Sequence, residues 1–417
     1  MTTCIPRRIL QAIGLLLAAT VSCGVHRGAV PDSSPSPDAS QPFPVSLAES
    51  PYRNLDGLPE GTILHLPTGV QLTKEQTVTL LASARIVYVG EAHDNLKHHR
   101  IQLEILRALA DRSPGHVAVG MEMFQRPAQP QLDRWSRGDL DEHAFLTTWY
   151  ENWSEDYDYY REILEFIRDR HIPLLALNAP EHAIQDAADG HHDASSQEQQ
   201  TPVEIDATDP FHRRQMEAVF GGHAKGAGFD AFYRAMLIWD ETMAQTVADY
   251  VSSPSGRDKT LLVFAGGGHL TYGFGIPRRA FRRAPLPYVI VLPHTDIQFA
   301  PNRPDATMDV DSIALPLLAA DIVWATGYED LEATKVRLGV RVERNEDGVL
   351  VTDVAPDSAA LRAGIHVGDV IVSFDGEPVR QPIDLVRSVR SRKPGDHAIV
   401  TIRRDSHPLT IDVFWPP

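Results

Sequence analysis

Cysteine is nearly absent from this chain: its 417 residues include two, Cys4 and Cys23, both close to the N-terminus. The chain beyond Cys23 therefore holds neither a disulfide nor a thiolate metal site. Hydrophobic residues make up 43% and charged residues 23%, a balance typical of a globular protein and not of a disordered or fibrous one. The length predicts two or three folding units at about 150 residues each.

Positive charge is also in short supply. Lys and Arg number 39 against 56 Asp and Glu, which gives a formal net charge of −17. Because a nucleic-acid-binding protein needs a basic face that displaces counterions, this deficit argues against nucleic acid as a partner. From Ala333 to the C-terminus 12 basic residues balance 12 acidic ones, so the whole excess lies upstream. This asymmetry indicates two units with different surfaces.

The hydrophobic run nearest to the N-terminus, Ile9–Val21, is too short to span a bilayer comfortably. It follows Arg7 and Arg8 and ends in small residues before Cys23, which is the pattern of an export signal. The segment resembles a bacterial lipoprotein signal, which implies a signal peptide over residues 1–23 and a lipid such as palmitate on Cys23. An ordinary cleaved signal or a simple anchor is the alternative. We expect a lipid-anchored protein of the bacterial cell envelope that faces the periplasm or the exterior.

Residues 24–50 are rich in Pro and Ser, which predicts a solvated tether. From residue 51 to 328, short apolar β-branched runs alternate with helical patterns, which is typical of an α/β fold with a parallel sheet covered by helices. The predicted strands are Arg85–Gly90, Val117–Met121, Ile172–Asn178, Thr260–Ala265 and Tyr288–Leu292. The polar segment Gln185–Thr201 is predicted to be a mobile excursion, and a solvated loop is favoured over metal capture by its His191 and His192.

Titratable and amide side chains follow four of the five strands. They are Glu91 and His93 after the first strand, Glu122 after the second, Asn178 and Glu181 after the third, and His269 after the fourth. Ligands of parallel α/β sheets bind at the carboxyl ends of the strands, so this set predicts one binding or catalytic site. Ordinary caps and turns are the alternative.

Asp240 is a further candidate, because helical spacing from Phe229 onward places it on an apolar face. A buried carboxylate needs a cation, a metal or several donors, and an N–H-rich turn is an equal alternative. His93, Glu122 and His269 are the ligand types of an open catalytic zinc or similar divalent site. The chain lacks a His-Glu-x-x-His motif, a P-loop and a G-x-S-x-G elbow, so such a site must be assembled from separate strands.

Aromatic residues crowd one stretch, and its candidate cofactor-binding residues are Trp149, Tyr150, Trp153, Tyr157 and Tyr160. Aromatics at this density often form a core or an interface. The alternative is a wall for a flat hydrophobic cofactor such as haem, with a Tyr phenolate among the known axial ligands.

Five blocks resemble the ChaN-like family of bacterial haem-binding lipoproteins in order and spacing, over about Leu55 to Gly327. The blocks are Gly90–His93, Gly120–Phe124, Leu177–Asn178, Trp239–Ala244 and Gly266–His269. The resemblance implies haem or another iron porphyrin as ligand, a part in iron uptake, and a homodimer. The site also resembles that of Tiki-type metalloproteases and erythromycin esterases in the wider superfamily. In those relatives such motifs serve metal-dependent or general-base hydrolysis.

Two functions are therefore open for residues 51–328. The first is haem binding, which the aromatic stretch favours. The second is metal-dependent hydrolysis, in which the candidate catalytic residues are Glu91, His93, Glu122 and His269, with Asp240 supporting a histidine.

Residues 329–417 show short strands, turn signals and one helix, Pro382–Arg392, which predicts a small and mostly antiparallel module. Val354–Gly364 and Gly368–Ile371 resemble a PDZ domain of the bacterial protease-associated type. The resemblance implies that Leu338, Gly339 and Val340 form the loop that binds the terminal carboxylate of a peptide, which adds as a strand to the sheet edge.

Overall fold

The computed structural model describes residue 55 and residues 57–189, 203–221, 228–295, 317–331 and 336–416. The chain divides into two compact units, Met1–Glu329 and Asp330–Pro417. The predicted signal, the tether, Cys23, His191 and His192 lie outside the described residues. Within the described ranges, no helix is both long enough and apolar enough to cross a membrane.

The first unit is built on an eight-stranded sheet. Its strands are β1 (Ile63–His65), β2 (Val70–Leu72), β3 (Ile86–Glu91), β4 (Val117–Gln125), β5 (Leu174–Asn178), β6 (Thr260–Gly266), β7 (Tyr288–His294) and β8 (Ile322–Ala325). They lie in the order β2-β1-β8-β7-β3-β6-β4-β5. The six strands from β8 to β5 pair in parallel, and β1 pairs antiparallel with β8 and β2.

The five strands predicted from sequence are β3 to β7, and the predicted α/β class is confirmed. Every residue of β3 and all but the last of β4 are buried, which is why these strands are continuous apolar runs without alternation. Strands β1, β2 and β8 have three or four residues each, too few for a recognisable pattern.

Helices cover the sheet and connect its parallel strands. They are α1 (Lys74–Leu81), α2 (Leu96–Arg112), α3 (Gln129–Arg137), α4 (Glu142–Asn152), α5 (Arg161–Asp169), α6 (Glu181–Asp189), α7 (Pro210–Gly221), α8 (Phe229–Ser252), α9 (Gly267–Leu270) and α10 (Ile276–Arg283). In α8 the predicted apolar face is buried, with Asp240 in it. The loop predicted over Gln185–Thr201 is wrong at its start, because α6 continues to Asp189; part of the remainder lies outside the described residues.

The second unit is an antiparallel sheet with two helices. Its elements are β9 (Val340–Asn345), β10 (Gly348–Val354), α11 (Ala359–Ala363), β11 (Val370–Phe374), β12 (Glu377–Pro378), α12 (Pro382–Arg390), β13 (His397–Arg404) and β14 (His407–Phe414). The strand order is β14-β13-β11-β10-β9, with β12 paired to β11. Strand β9 therefore lies at one edge of the sheet, and α12 packs beside it.

Candidate functional site at the strand ends

Glu91, the last residue of β3, is the centre of a buried hydrogen-bonded group. Its Oε1 accepts from Nδ1 of His93 at 2.6 Å and from the Tyr160 hydroxyl at 2.5 Å. Its Oε2 accepts from Nε2 of Gln102 at 2.6 Å, and Nδ1 of His99 lies 3.5 Å from the same oxygen. Both oxygens are thus occupied, which is how a carboxylate at 4% exposure is stabilised.

His93 is held by this group and covered by an indole. Its Nε2 is buried without a hydrogen-bond partner, and its ring meets that of Trp153 edge to face at 4.9 Å between centroids. Burial disfavours the imidazolium, but the hydrogen bond and charge of Glu91 outweigh it and raise the pKa of His93 to about 9. Burial likewise opposes ionisation of Glu91, yet His99 and His93 hold its pKa far below the usual range.

A second buried group joins β4, β6 and α8. Glu122 accepts from the backbone N–H of Gly266 at 2.7 Å through Oε2, and its Oε1 lies 3.3 Å from Nε2 of His269. Nδ1 of His269 donates to Oδ1 of Asp240 at 2.6 Å. The imidazole therefore lies between two carboxylates that come from different elements.

The electrostatics of the second group follow from this arrangement. Burial disfavours the charged forms, but Glu122 and Asp240 outweigh it at His269 and raise the pKa of its imidazole to about 10. The pKa of Glu122 and that of Asp240 are lowered despite burial, chiefly by the charge of His269. Glu122 also contributes to the raised pKa of His93, so the two groups act on each other electrostatically.

The structure brings five of the predicted residues to one end of the sheet and gives the other strand-end residues simpler roles. Glu91, His93, Glu122, Asp240 and His269 form the two groups. The side chain of Asn178 donates to the carbonyl of Glu122 and accepts from Ala179, so it braces β4 against β5. Glu181 begins α6, where its backbone N–H donates to Gln125.

Sequence reasoning missed Gln102, His99 and the role of Tyr160 as a partner of Glu91. Gln102 and His99 lie one helical turn apart on α2, the helix that follows the first strand. Their position on one face of that helix was the signal that could have found them. Tyr160 is 69 residues from Glu91 along the chain, and no local pattern connects them.

The predicted divalent-metal set finds no support. Among the residues that the structure describes, no group of three or more His, Cys, Asp and Glu side chains is arranged to hold a metal ion. The physical reason is that the carboxylates of Glu91, Glu122 and Asp240 already pair with imidazole or backbone N–H groups.

The aromatic stretch is mostly core, which corrects the prediction of an aromatic wall. Trp149, Tyr157 and Tyr160 are fully buried, because they pack on one another and on Phe124 and Phe145. Two of the five candidates, Tyr150 and Trp153, are half-buried and reach the surface.

In the second unit, the predicted loop precedes the edge strand. Gly339 has a φ of +79°, and a Cβ there would lie 2.3 Å from Cβ of Ser358, so only glycine fits. The carbonyls of Leu338 and Gly339 accept from Ala360 and Ala355 at 2.9 Å each. These bonds fix the loop against α11 and the residue that follows β10.

Val340 and Val342 of β9 are partly buried against the core of the second unit, and Leu385 of α12 belongs to that core. An apolar strip thus lies between an edge strand and a helix, as peptide addition to a sheet edge requires.

A buried α/β strand-end site followed by a small antiparallel module defines a two-domain protein. Comparison with known families identifies both parts: residues 77–280 match the family described as haem-binding uptake, Tiki superfamily, ChaN, and residues 336–414 match the PDZ domain. The chain therefore carries a ChaN-like domain of the haem-binding Tiki superfamily and a C-terminal PDZ domain.

Curated relatives match in parts. RETICULATA-RELATED 5, a chloroplastic protein of Arabidopsis thaliana, is 26% identical over 248 residues, which cover 54% of this chain and 33% of the relative. A probable periplasmic DegP-like serine endoprotease of Rhizobium meliloti is 39% identical over 114 residues, 24% of this chain and 23% of the relative. The chain spans a third or less of the length of these relatives.

Solved structures resemble each unit. A structure of ChaN of Campylobacter jejuni with cofacially bound haem has a TM-score of 0.47 and 18% identity, and the match covers 63% of this chain and 95% of that chain. The PDZ domain of HtrA3 bound to a phage-derived ligand has a TM-score of 0.18 and 26% identity, and covers 19% of this chain and 85% of that chain.

Proposed function

We propose that this protein is a lipid-anchored haem-binding protein of the bacterial cell envelope, serving iron uptake, that docks a peptide with its PDZ domain. The match of residues 77–280 to a haem-binding uptake family supports the ligand, and the leader that ends at Cys23 supports the anchor. A homodimer is part of the same proposal.

The observation that carries haem binding is the position of Tyr150 and Trp153. Both side chains are half-buried and reach the surface, and Trp153 packs on the ring of His93, whereas Trp149, Tyr157 and Tyr160 are enclosed. Haem needs an apolar face and an axial ligand, and tyrosine is one of its known axial ligands. The pair fits both needs: Trp153 would pack on the macrocycle, and Tyr150 would supply the phenolate.

Titration of haem into the protein without its leader tests this proposal. We expect a saturable shift of the Soret band, lost in Tyr150→Phe and weakened in Trp153→Leu. Tyr157→Phe is the matched control, because this tyrosine is close in sequence but fully buried. A Soret shift that never saturates, or that none of these substitutions changes, would refute haem binding at this face. Sedimentation of the same samples with and without haem tests the dimer.

A second candidate function is hydrolysis by acid–base chemistry without a metal. It is favoured by two buried imidazoles, His93 and His269, that each hold a carboxylate at 2.6 Å through Nδ1. Such a pair orients the ring and presents Nε2 for proton transfer. Because both imidazoles have a raised pKa, their role near neutral pH would be that of an acid. Turnover of ester and peptide substrates that is lost in His93→Gln supports this function, and equal turnover in wild type and variant contradicts it.

The PDZ domain is proposed to bind a free peptide carboxyl terminus at Leu338–Val340, with the peptide added to β9. The left-handed Gly339 and the apolar strip along β9 and α12 support this role. Affinity should be roughly micromolar, because the peptide must be ordered to form a strand.

A further inference from the structure

Asp240 is shared by two histidines, one of which was not among the predicted site residues. His212 of α7 has 1% exposure, and its Nε2 lies 3.3 Å from Oδ2 of Asp240. The other oxygen of Asp240, Oδ1, accepts from Nδ1 of His269. The chain of contacts then continues from Nε2 of His269 to Glu122 at 3.3 Å.

The surroundings of His212 fix which of its ring nitrogens carries the proton. A terminal nitrogen of Arg279 lies 3.2 Å from Nδ1 of His212, and the Tyr233 hydroxyl lies 3.4 Å from the same atom. A guanidinium donates hydrogen bonds and cannot accept them, so Nδ1 of His212 must be the acceptor. The proton therefore sits on Nε2, from which it is donated to Asp240.

This donation constrains His269 in turn. With one oxygen of Asp240 bonded to His212 and the other to His269, the carboxylate cannot rotate freely. Nδ1 of His269 is then held as a donor to Asp240, and its Nε2 is directed at Glu122. Partners of this kind, behind the histidine that meets a ligand, set its ring orientation.

We propose that His212 is a positioning residue for His269, acting through Asp240 and held in the required tautomer by Arg279. This role deepens the second candidate function, because His269 is one of the two imidazoles that such chemistry would use. This role does not require His212 itself to contact haem or substrate.

Imidazole NMR of the ¹⁵N-labelled protein tests the inference without any turnover. In the wild type we expect His212 as the Nε2–H tautomer and a far-downfield proton on Nδ1 of His269, as its short bond to Asp240 requires. His212→Leu should abolish or shift that His269 signal. His212→Gln, which keeps an N–H donor for Asp240, should retain it.

Gln215→Leu is the matched control. Gln215 lies one turn further along α7, is equally buried, and has neither amide atom hydrogen-bonded. The Gln215→Leu substitution should leave the His269 signal unchanged. A wild-type His212 protonated on Nδ1 would overturn the proposal, and this measurement does not depend on the folding of a variant. A His269 signal that is the same in His212→Leu as in the wild type would also overturn it. The expected spectra together with absent turnover would refute the hydrolysis and leave the positioning role intact.

Discussion

Tyr160 and His93 donate to the same carboxylate oxygen: the Tyr160 hydroxyl lies 2.5 Å from Oε1 of Glu91, and Nδ1 of His93 lies 2.6 Å from it. The phenol is therefore part of the buried support of Glu91. Burial and the neighbouring charge of Glu91 raise the pKa of Tyr160 well above its ordinary value, so it remains a donor. A buried, protonated phenol is a poor axial ligand, which directs the haem proposal to Tyr150.

Tyr160→Phe tests this assignment through stability. Removing a donor from a buried carboxylate should lower the free energy of unfolding by about 1–3 kcal/mol, measured by urea denaturation. Tyr88→Phe is the control, because the Tyr88 hydroxyl is buried without a hydrogen-bond partner and its removal should cost little or nothing. Haem titration should be the same in Tyr160→Phe as in the wild type. Loss of the Soret shift with unchanged stability would assign Tyr160 to haem instead.

The buried histidines set an alkaline limit on stability. The pKa of His93 is raised to about 9 and that of His269 to about 10, from an ordinary 6.5. The folded protein holds these protons more tightly than the unfolded chain, so their contribution is complete below pH 6.5 and is lost as the pH rises through 9 and 10. The lowered pKa of Glu91, Glu122 and Asp240 acts in the opposite sense, and that contribution is lost in acid.

We therefore expect the melting temperature to be highest between the ordinary Glu pKa of 4.5 and the ordinary His pKa of 6.5, and to fall toward alkaline pH. Calorimetry from acid to alkaline pH measures the melting temperature. His269→Gln should flatten the alkaline decline, and the exposed His116→Gln should leave the profile unchanged. Identical alkaline slopes in wild type and His269→Gln would contradict the charge assignment.

Two glycines near the site should differ in how well they tolerate alanine. A Cβ at Gly275 would lie 2.2 Å from the carbonyl oxygen of His269 and 2.9 Å from Oδ1 of Asp240, so backbone must move. A Cβ at Gly90 would meet the end of the Leu292 side chain at 2.5 Å, which can yield.

Gly275→Ala should accordingly destabilise the protein by several kcal/mol and disturb the His269–Asp240 bond, whereas Gly90→Ala should cost about 1–3 kcal/mol. Urea denaturation of both variants measures the difference. A Gly275→Ala protein as stable as Gly90→Ala would show that the turn after His269 adapts.

Peptide binding by the PDZ domain should require a free carboxyl terminus. A peptide that ends in a small or medium apolar residue should bind the whole protein with roughly micromolar affinity, and its C-terminal amide should not, because the amide lacks the full negative charge. Gly339→Ala should abolish binding, since its Cβ would collide with Ser358. Calorimetric titration measures the affinity of both peptides. Equal affinity for the acid and amide forms would exclude carboxylate recognition.

The lipid anchor is tested at Cys23. Cys23→Ser should move the protein from the membrane fraction to the soluble fraction and abolish metabolic labelling with palmitate. Cys4→Ser, the other cysteine, should change neither property. Labelling that persists in Cys23→Ser would place the lipid on another residue, whereas a wild-type protein without label would indicate an ordinary cleaved signal.

Residue types along the chain were sufficient for the architecture. Strands β3, β4 and β6 are nearly continuous apolar runs because they are buried on both faces, and parallel pairing brings their carboxyl ends to one edge. The sequence alone therefore assigns Glu91, His93, Glu122 and His269 to one end of the sheet. The Asp240 position on the apolar face of α8 followed equally from helical spacing.

Pairing among these side chains depended on contacts between residues far apart in sequence. Whether His269 would meet Asp240, and whether Tyr160 would face Glu91 or the surface, has no local signature, because such choices are made by packing between elements. The same holds for the burial of Trp149 and for His212, which reaches Asp240 from a helix 28 residues upstream in the chain. Side-chain periodicity reports which face of an element is buried; the partner on that face is selected only when the elements pack together.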